Sequence, residues 1–303
     1  LFDENNIYLK YKILSKRNLL MKIASDWKDY QVIATGDGEK LERWGEYYLL
    51  RPDPQVIWHG KQDLASYPKL SAHYLRSSSG GGQWKMLKKL PESWLIGWKD
   101  FKFIVKPMGL KHTGRFPEQA VNWEEMTKLI KESQRPIRVL NLFAYTGLAS
   151  VVCAKAGAEV THVDASKGMV ERAKENASLN GISTIRYIVD DCQKFIEREI
   201  RRGKTYDAII MDPPSYGRGT NGAMWKLEDN LFDFVIMTKK VLSDKPLFVL
   251  ISSYTTGLAP SVLKNILTLV FGKDNIDADE IGLPCEDGLV LPCGARGLKV
   301  WKN

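Results

Sequence analysis

The residues best placed to do chemistry stand in the string MDPPSYG at 211–217, at the end of an apolar run. Pro213 and Pro214 have no backbone N–H and stiffen the chain, so Asp212 and the neighbouring carbonyls are expected as a fixed array of acceptors. Such an array suits the donor-rich edge of a nucleobase. Tyr216 offers an aromatic face on which a base taken out of its helix could stack, worth ~1–3 kcal/mol per base. The plainer alternative is a bare turn. A second string, NLFAYTG at 141–147, ends in Gly147, which lets backbone come close to a ligand where a helix N-terminus favours a carboxylate. It lacks the GxGxxG of a pyrophosphate loop, which disfavours a nicotinamide dinucleotide. Asp164 follows 17 residues after Gly147 and can accept from both hydroxyls of a ribose, or cap the helix that begins near Ser166. In IVDDCQKF at 188–195, Asp190 or Asp191 can accept from an adenine amino group with Cys192 packed nearby. A helix cap is the commoner use of such a pair.

These strings need elements to hold them, and the pattern around them supplies the elements. Apolar runs at 139–143, 160–164, 185–189, 206–211 and 246–252 are separated by helical stretches. That alternation predicts five parallel strands with helices on both faces, an α/β class in which ligands lie beyond the carboxyl ends of the strands. Two further candidates, 276–283 and 289–291 with 298–301, lack an intervening helix and predict a C-terminal antiparallel hairpin. Ahead of the alternating region, residues 21–107 read as a small β-rich domain. Strand runs at 30–35, 43–50, 94–98 and 101–106 are bounded by Gly, Pro and Asp, and SSSGGG at 77–82 reads as an exposed loop. The expected division is an extension at 1–20, dispensable and upstream of the natural start, a β domain at 21–107, and an α/β domain at 108–303.

With 303 residues, 44% hydrophobic and 26% charged, the chain can bury two cores, and it has no apolar run near the ~18 residues a membrane span needs. Residues 1–20 make a poor secretory signal, so the expected location is the cytoplasm. Cys153, Cys192, Cys285 and Cys293 form no CxxC pair and the four histidines are scattered, so neither a metal site nor a disulfide framework is expected. The formal charge of +8 is unevenly placed: residues 1–117 carry 20 Lys and Arg against 12 Asp and Glu, whereas 118–303 carry 24 of each. A basic module joined to a neutral one suggests a polyanion gripped by the first and chemistry done by the second. Lys85, Lys88 and Lys89 are expected along one helical face beside the glycine-rich loop. The competing reading is a solvated basic surface.

In series, NLFAYTG, HVDAS, IVDDCQKF and MDPPSYG resemble the class I S-adenosylmethionine-dependent methyltransferases, in the branch that includes bacterial 23S ribosomal RNA large-subunit methyltransferases. The resemblance covers about 185 residues. It implies a Rossmann-like sheet with S-adenosylmethionine as cofactor. The methionine part would lie among Asn141, Phe143, Ala144, Tyr145, Thr146 and Gly147, with Gln119 of KHTGRFPEQ (111–119) at its end. The ribose would meet Asp164, Ala165 and Ser166, and the adenine Asp190, Asp191 and Cys192. Asp212 and Pro213 would stand beside the transferred methyl, with Pro214 and Tyr216 completing the catalytic set. One departure matters. Relatives that methylate carbon 5 of cytosine use a cysteine after the fifth strand, but ISSYTTG at 251–257 has none, and an unactivated serine is a poor covalent catalyst.

The expected reaction is therefore in-line transfer to a nucleobase nitrogen in RNA, in which alignment and exclusion of water supply most of the rate without a strong base. Three alternatives stand beside it. They are a small-molecule or protein methyltransferase on the same fold, carbon-5 cytosine methylation with Cys293 as a displaced nucleophile, and a catalytically inactive RNA-binding protein.

Overall fold

Glycine and proline punctuate the first part of the chain, and the computed structural model, which describes residues 21–77, 81–107, 116–218, 224–255 and 257–302, builds short strands between them. β1 (Lys22–Ile23) precedes a five-stranded sheet of β2 (Tyr30–Gly36), β3 (Glu39–Trp44), β4 (Tyr47–Pro52), β5 (Leu70–Arg76) and β6 (Gly82–Met86), in chain order. β7 (Trp94–Trp98) and β8 (Phe101–Val105) form a separate antiparallel pair. Two expectations fail here. The run 43–50 is the end of one strand and the start of the next, because Gly45 adopts φ 65° and turns the chain between β3 and β4. Lys85 lies at the end of β6 with Lys88 and Lys89 in the turn beyond, so the three lysines are exposed but share no helical face. The expectations for 1–20, for 78–80 of the serine-glycine loop and for 111–115 lie outside the described residues.

The second part alternates as its pattern requires. α1 (Ala120–Glu132), β9 (Arg138–Leu142), α2 (Leu148–Lys155), β10 (Glu159–Asp164), α3 (Lys167–Leu179), β11 (Arg186–Val189), α4 (Cys192–Arg201) and β12 (Ala208–Met211) come first. A small hairpin, β13 (Tyr216–Arg218) and β14 (Met224–Lys226), leads to α5 (Leu227–Lys239), β15 (Phe248–Ser253), α6 (Pro260–Phe271), β16 (Ile276–Pro284) and β17 (Val290–Val300). The sheet order is β11-β10-β9-β12-β15-β17-β16-β1, with β9 to β12 and β15 parallel. The terminal hairpin is present, but 290–300 is one continuous strand, and it runs antiparallel between β15 and β16.

The near-continuous apolar runs are explained by cover on both faces. Along β15, Phe248 and Leu250 join the cluster packed under α1, α2 and α3, while Val249 and Ile251 join the one under α4, α5 and α6. Ala208 to Met211 alternate in the same way. The first cluster does not stop at the sheet: Tyr30, Trp44, Ile96, Trp98 and Phe103 of the β region belong to it. Polar contacts lock the same joint. Asn176 and Asn180 of α3 bond the backbone of Lys102 and Ile104 in β8, and Trp27 Nε1 donates to the Pro117 carbonyl at 2.9 Å. The segment leading into α1 is thereby held against the carboxyl edge of the sheet, where the strand order reverses beside β9.

Candidate cofactor and acceptor site

The loop after β9 is strained and tied down. Phe143 (φ 54°) and Tyr145 (φ 50°) take left-handed conformations that disfavour their side chains by ~1–3 kcal/mol each, so surrounding bonds must hold them. Phe143 N donates to Cys192 Sγ at 3.3 Å, Ala144 N to the Val163 carbonyl at 3.1 Å, and Tyr145 N to Asp164 Oδ2 at 2.8 Å. Asn176 Nδ2 donates to the Thr146 carbonyl at 2.9 Å. Beneath the loop Asn141 Nδ2 donates to Ser150 Oγ at 2.9 Å, which pairs with His162 Nδ1 at 3.0 Å. Burial pushes His162 down to about 3, so this ring is neutral. Gly147 is needed for packing as much as for approach to a ligand: at φ 78°, an added Cβ would lie 2.6 Å from Ala173 Cβ of α3.

Asp164 ends β10 and does not cap α3, whose N-cap is Ser166; its carboxylate instead ties down the two loops beside it. Its Oδ1 accepts from Ser166 N and its Oδ2 from Tyr145 N, each at 2.8 Å, which leaves further lone pairs on both oxygens. Burial raises its pKa although the two N–H bonds pull the other way. Asp191 caps α4 through Oδ1, accepting from Lys194 N at 3.1 Å. Asp190 turns away to accept from Asp191 N and to pair with Arg198. The Cys192 thiol is buried, and that burial raises its pKa.

These residues enclose a cavity of 470 Å³, of the size that small-ligand sites commonly have. Phe143, Tyr145, Asp164, Ala165, Ser166, Asp191, Cys192, Asp212 and Pro214 line it. Gln119, Asn141, Ala144, Thr146 and Gly147 line an adjoining cavity of 60 Å³, into which Asp212 also faces. Asp190, Pro213 and Tyr216 line neither. Gln119 is oriented by its neighbours: its Oε1 accepts from Asn122 Nδ2 at 2.8 Å and from Ser252 Oγ at 3.3 Å, leaving the amide nitrogen as donor.

The acceptor array expected after β12 is largely consumed by the fold. The Pro214 carbonyl accepts from Trp225 Nε1 at 2.7 Å and the Ser215 carbonyl from Leu227 N at 3.0 Å, which fastens the β13–β14 hairpin over the cavity. The carboxylate remains. Asp212 Oδ1 is buried without a hydrogen-bond partner among the described residues. Burial, then the charge of Glu118, push Asp212 up to about 7. Such a group is completed by a cation.

A nucleoside carrying a sulfonium fits this donor and acceptor set: Asp164 for ribose hydroxyls, Asp191 for an amino group, Gln119 for a carboxylate, Asp212 for the positive sulfur. Among the described residues no group of three His, Cys, Asp or Glu could hold a metal ion, and no helix is long and apolar enough to cross a membrane. Sequence reasoning missed the aromatic wall. Phe116 and Tyr254 stack at 5.8 Å and 18°, Phe116 meets Tyr145 at 5.7 Å, and Trp225 meets Phe143 at 5.2 Å. Tyr254 sits in ISSYTTG, where no spacing marks it as facing a ligand; nothing local marks Trp225, which reaches the site from a hairpin.

Comparison with known proteins agrees with this geometry. A family model for S-adenosylmethionine-dependent methyltransferases matches residues 71–229. The crystal structure of an S-adenosylmethionine-dependent methyltransferase from Agrobacterium tumefaciens has a TM-score of 0.87 at 34% identity, covering 93% of this chain and 94% of that one. A putative methyltransferase crystallised with S-adenosylhomocysteine shares the fold, with a TM-score of 0.70 at 22% identity over 91% of this chain and 76% of its own. A putative ribosomal RNA large subunit methyltransferase of Methanocaldococcus jannaschii is 42% identical over 119 residues, 39% of this chain and 30% of that protein. The chain spans at most about half the length of the curated relatives it matches. With its sheet order, its cavity and these matches in agreement, the chain belongs to the S-adenosylmethionine-dependent methyltransferases.

Proposed function

We propose that this enzyme methylates a nucleobase nitrogen in RNA, with ribosomal RNA as the substrate and the basic β region as its grip. The observation that carries the reading is the Phe116–Tyr254 stack, which lines the same cavity as Asp212: an aromatic face beside the carboxylate kept for the sulfonium suits a planar base brought up to the methyl. The names of the ribosomal RNA relatives and the +8 of residues 1–117 support the choice of RNA. Bound S-adenosylmethionine supplies a methyl on a positive sulfur, already activated toward nucleophiles. The protein holds it through Asp164, Asp191 and Gln119, strains the 143–147 loop around it, and keeps water away with Phe116, Trp225 and Tyr254.

Nitrogen is favoured over carbon because carbon-5 attack needs a thiolate. Cys192 accepts from Phe143 N on the cofactor side, and burial raises its pKa. Cys293 gives the carbon reading its one specific support, since it shares a small cavity with Tyr254; burial and the charge of Glu118 keep it a thiol. Transfer of tritiated methyl to RNA, followed by mass spectrometry of the labelled nucleoside, decides. A base-methylated nucleoside with the methyl on nitrogen is expected. A 5-methylpyrimidine would move the reading to Cys293, and labelled protein without labelled RNA would remove RNA altogether.

A further inference from the structure

A third cavity, of 110 Å³, adjoins the cofactor cavity at the aromatic pair Phe116 and Tyr254, and the reading above leaves it unused. Phe116 and Tyr254 line both cavities. Glu118 lines it from the α1 approach, and Lys40, Arg51 and Asp53 from β3, β4 and the turn after β4. The cavity thus lies where the β region meets the methyltransferase sheet.

Its charges do not balance. Arg51 is bound bidentately to Glu42, at 2.6 and 2.8 Å, and Tyr30 donates to the same carboxylate at 2.8 Å. Lys40 is bonded to Asp53 at 3.0 Å, with Glu42 at 3.8 Å. Both cations are committed within the β region. Glu118 is buried, 7% exposed, and the described residues bond no cation to it. The groups that face it are Lys40, Glu42 and Asp53 from the β region, Asp212 from the tip of β12, and Cys293 from β17. Among the described residues neither Glu118 nor Asp212 has an ion-pair partner, and the cation that faces Glu118, Lys40, is already bonded to Asp53.

Resting on the nucleobase reading, we infer that this third cavity receives the acceptor ring and that Glu118 takes the proton its nitrogen sheds. The nitrogen lone pair attacks the methyl carbon, so an N–C bond forms as the C–S bond breaks and its electron pair returns to sulfur, leaving a neutral thioether. The N–H proton passes to the Glu118 carboxylate, which ends the step as a carboxylic acid and releases the proton to water when the product leaves. Asp212 stays ionised against the sulfonium until that charge is gone. Burial pushes Glu118 up to about 7, where a base is both unprotonated and strong enough at neutral pH. The step therefore has a proton acceptor, where sequence reading expected alignment alone to suffice.

The test is single-turnover transfer of tritiated methyl to 16S and 23S ribosomal RNA transcribed in vitro, from pH 5.5 to 8.5, with S-adenosylmethionine saturating so that its positive sulfur holds Asp212 ionised throughout. Wild type should rise about tenfold per unit below pH 7 and then level, as for one titrating base. Glu118→Gln should be slower by about a hundredfold and flat with pH, with cofactor affinity within about twofold of wild type. If that variant does not fold, Glu118→Asp, which keeps the carboxylate, should retain the pH slope at a lower rate. Filling the cavity with Gln55→Trp should raise KM for RNA about tenfold and leave cofactor affinity unchanged. A Glu118→Gln enzyme with wild-type rate and slope overturns the role of Glu118, and a Gln55→Trp enzyme with wild-type KM overturns the placement of the ring. Wild type that labels neither RNA overturns the RNA reading itself, and the inference with it.

Discussion

Asp164 holds two backbone turns with acceptor capacity to spare. Each oxygen already accepts one backbone N–H, from Ser166 and Tyr145, and each keeps a lone pair for a ribose hydroxyl. Asp164→Ala therefore removes a charge-assisted acceptor, worth about 1.5–3 kcal/mol, and affinity for S-adenosylmethionine should fall ten- to a hundredfold by calorimetry. Asp164→Asn should rescue little, because one amide oxygen cannot serve two N–H groups on opposite sides; wild-type affinity in either variant would remove the ribose assignment. Asp212 makes a different demand. Its buried oxygen waits for positive charge, so Asp212→Asn should weaken binding of the sulfonium by about tenfold or more and leave the neutral product S-adenosylhomocysteine unaffected, while transfer is lost. Equal effects on both ligands would mean that Asp212 senses shape and not charge.

At the scale of elements, the junction of the 143–147 loop with α3 is closely packed. Gly147→Ala adds a methyl 2.6 Å from Ala173 Cβ at φ 78°, so overpacking and backbone strain act together, and a loss of about 2–4 kcal/mol is expected in urea melts. Adding Ala173→Gly should restore the packing part but not the strain, so an unimproved double variant would show that strain alone carries the effect. The same joint explains what sequence could reveal. Runs such as 208–211 and 248–253 are covered on both faces, so their hydrophobicity is uninterrupted and their strand identity is plain. The split of 43–50 at Gly45 and the extended path at Lys85 are set by pairing within the small sheet, which no local period records. In the site, Asp164, Asp191 and Asp212 were legible because they follow strands. Tyr216 lies outside the cavity because the chain turns outward into β13, which MDPPSYG does not reveal; its ring is 61% exposed while Trp225 and Tyr254 line the cavity.

Over the whole molecule, charge bears on the partner proposed above and on the pH at which the fold is most stable. Lys85, Lys88 and Lys89 are exposed on the rim of the five-stranded sheet. If they grip phosphates, replacing all three with alanine should reduce the slope of log affinity for RNA against log salt by up to about 2, with cofactor binding intact. An unchanged slope would mark them as a solvated face. Stability follows from the buried groups. Glu118 and Asp212 titrate near 7 in the folded protein but near 4.5 and 3.8 when unfolded, so between those values the folded state holds more protons. Their contribution is fully present below about pH 4 and is lost as pH rises through 7. His162 acts in the opposite direction: folded, it titrates near 3, against 6.5 unfolded, so its contribution is present above 6.5 and is lost as pH falls. The two windows overlap, and two carboxyls outweigh one histidine, so the net contribution of these three groups is greatest near pH 4 and falls as pH rises. Glu118→Gln removes part of the alkaline limb alone, so at pH 8 it should be more stable than wild type by on the order of 2–3 kcal/mol, and at pH 4 nearly equal. Saturating S-adenosylmethionine should shrink that gain, because its positive sulfur stabilises the same ionised carboxyls. Urea midpoints at pH 4 and pH 8, with and without cofactor, measure all of this, and a variant no more stable than wild type at pH 8 would place Glu118 in contact with water and not in a buried carboxyl pair.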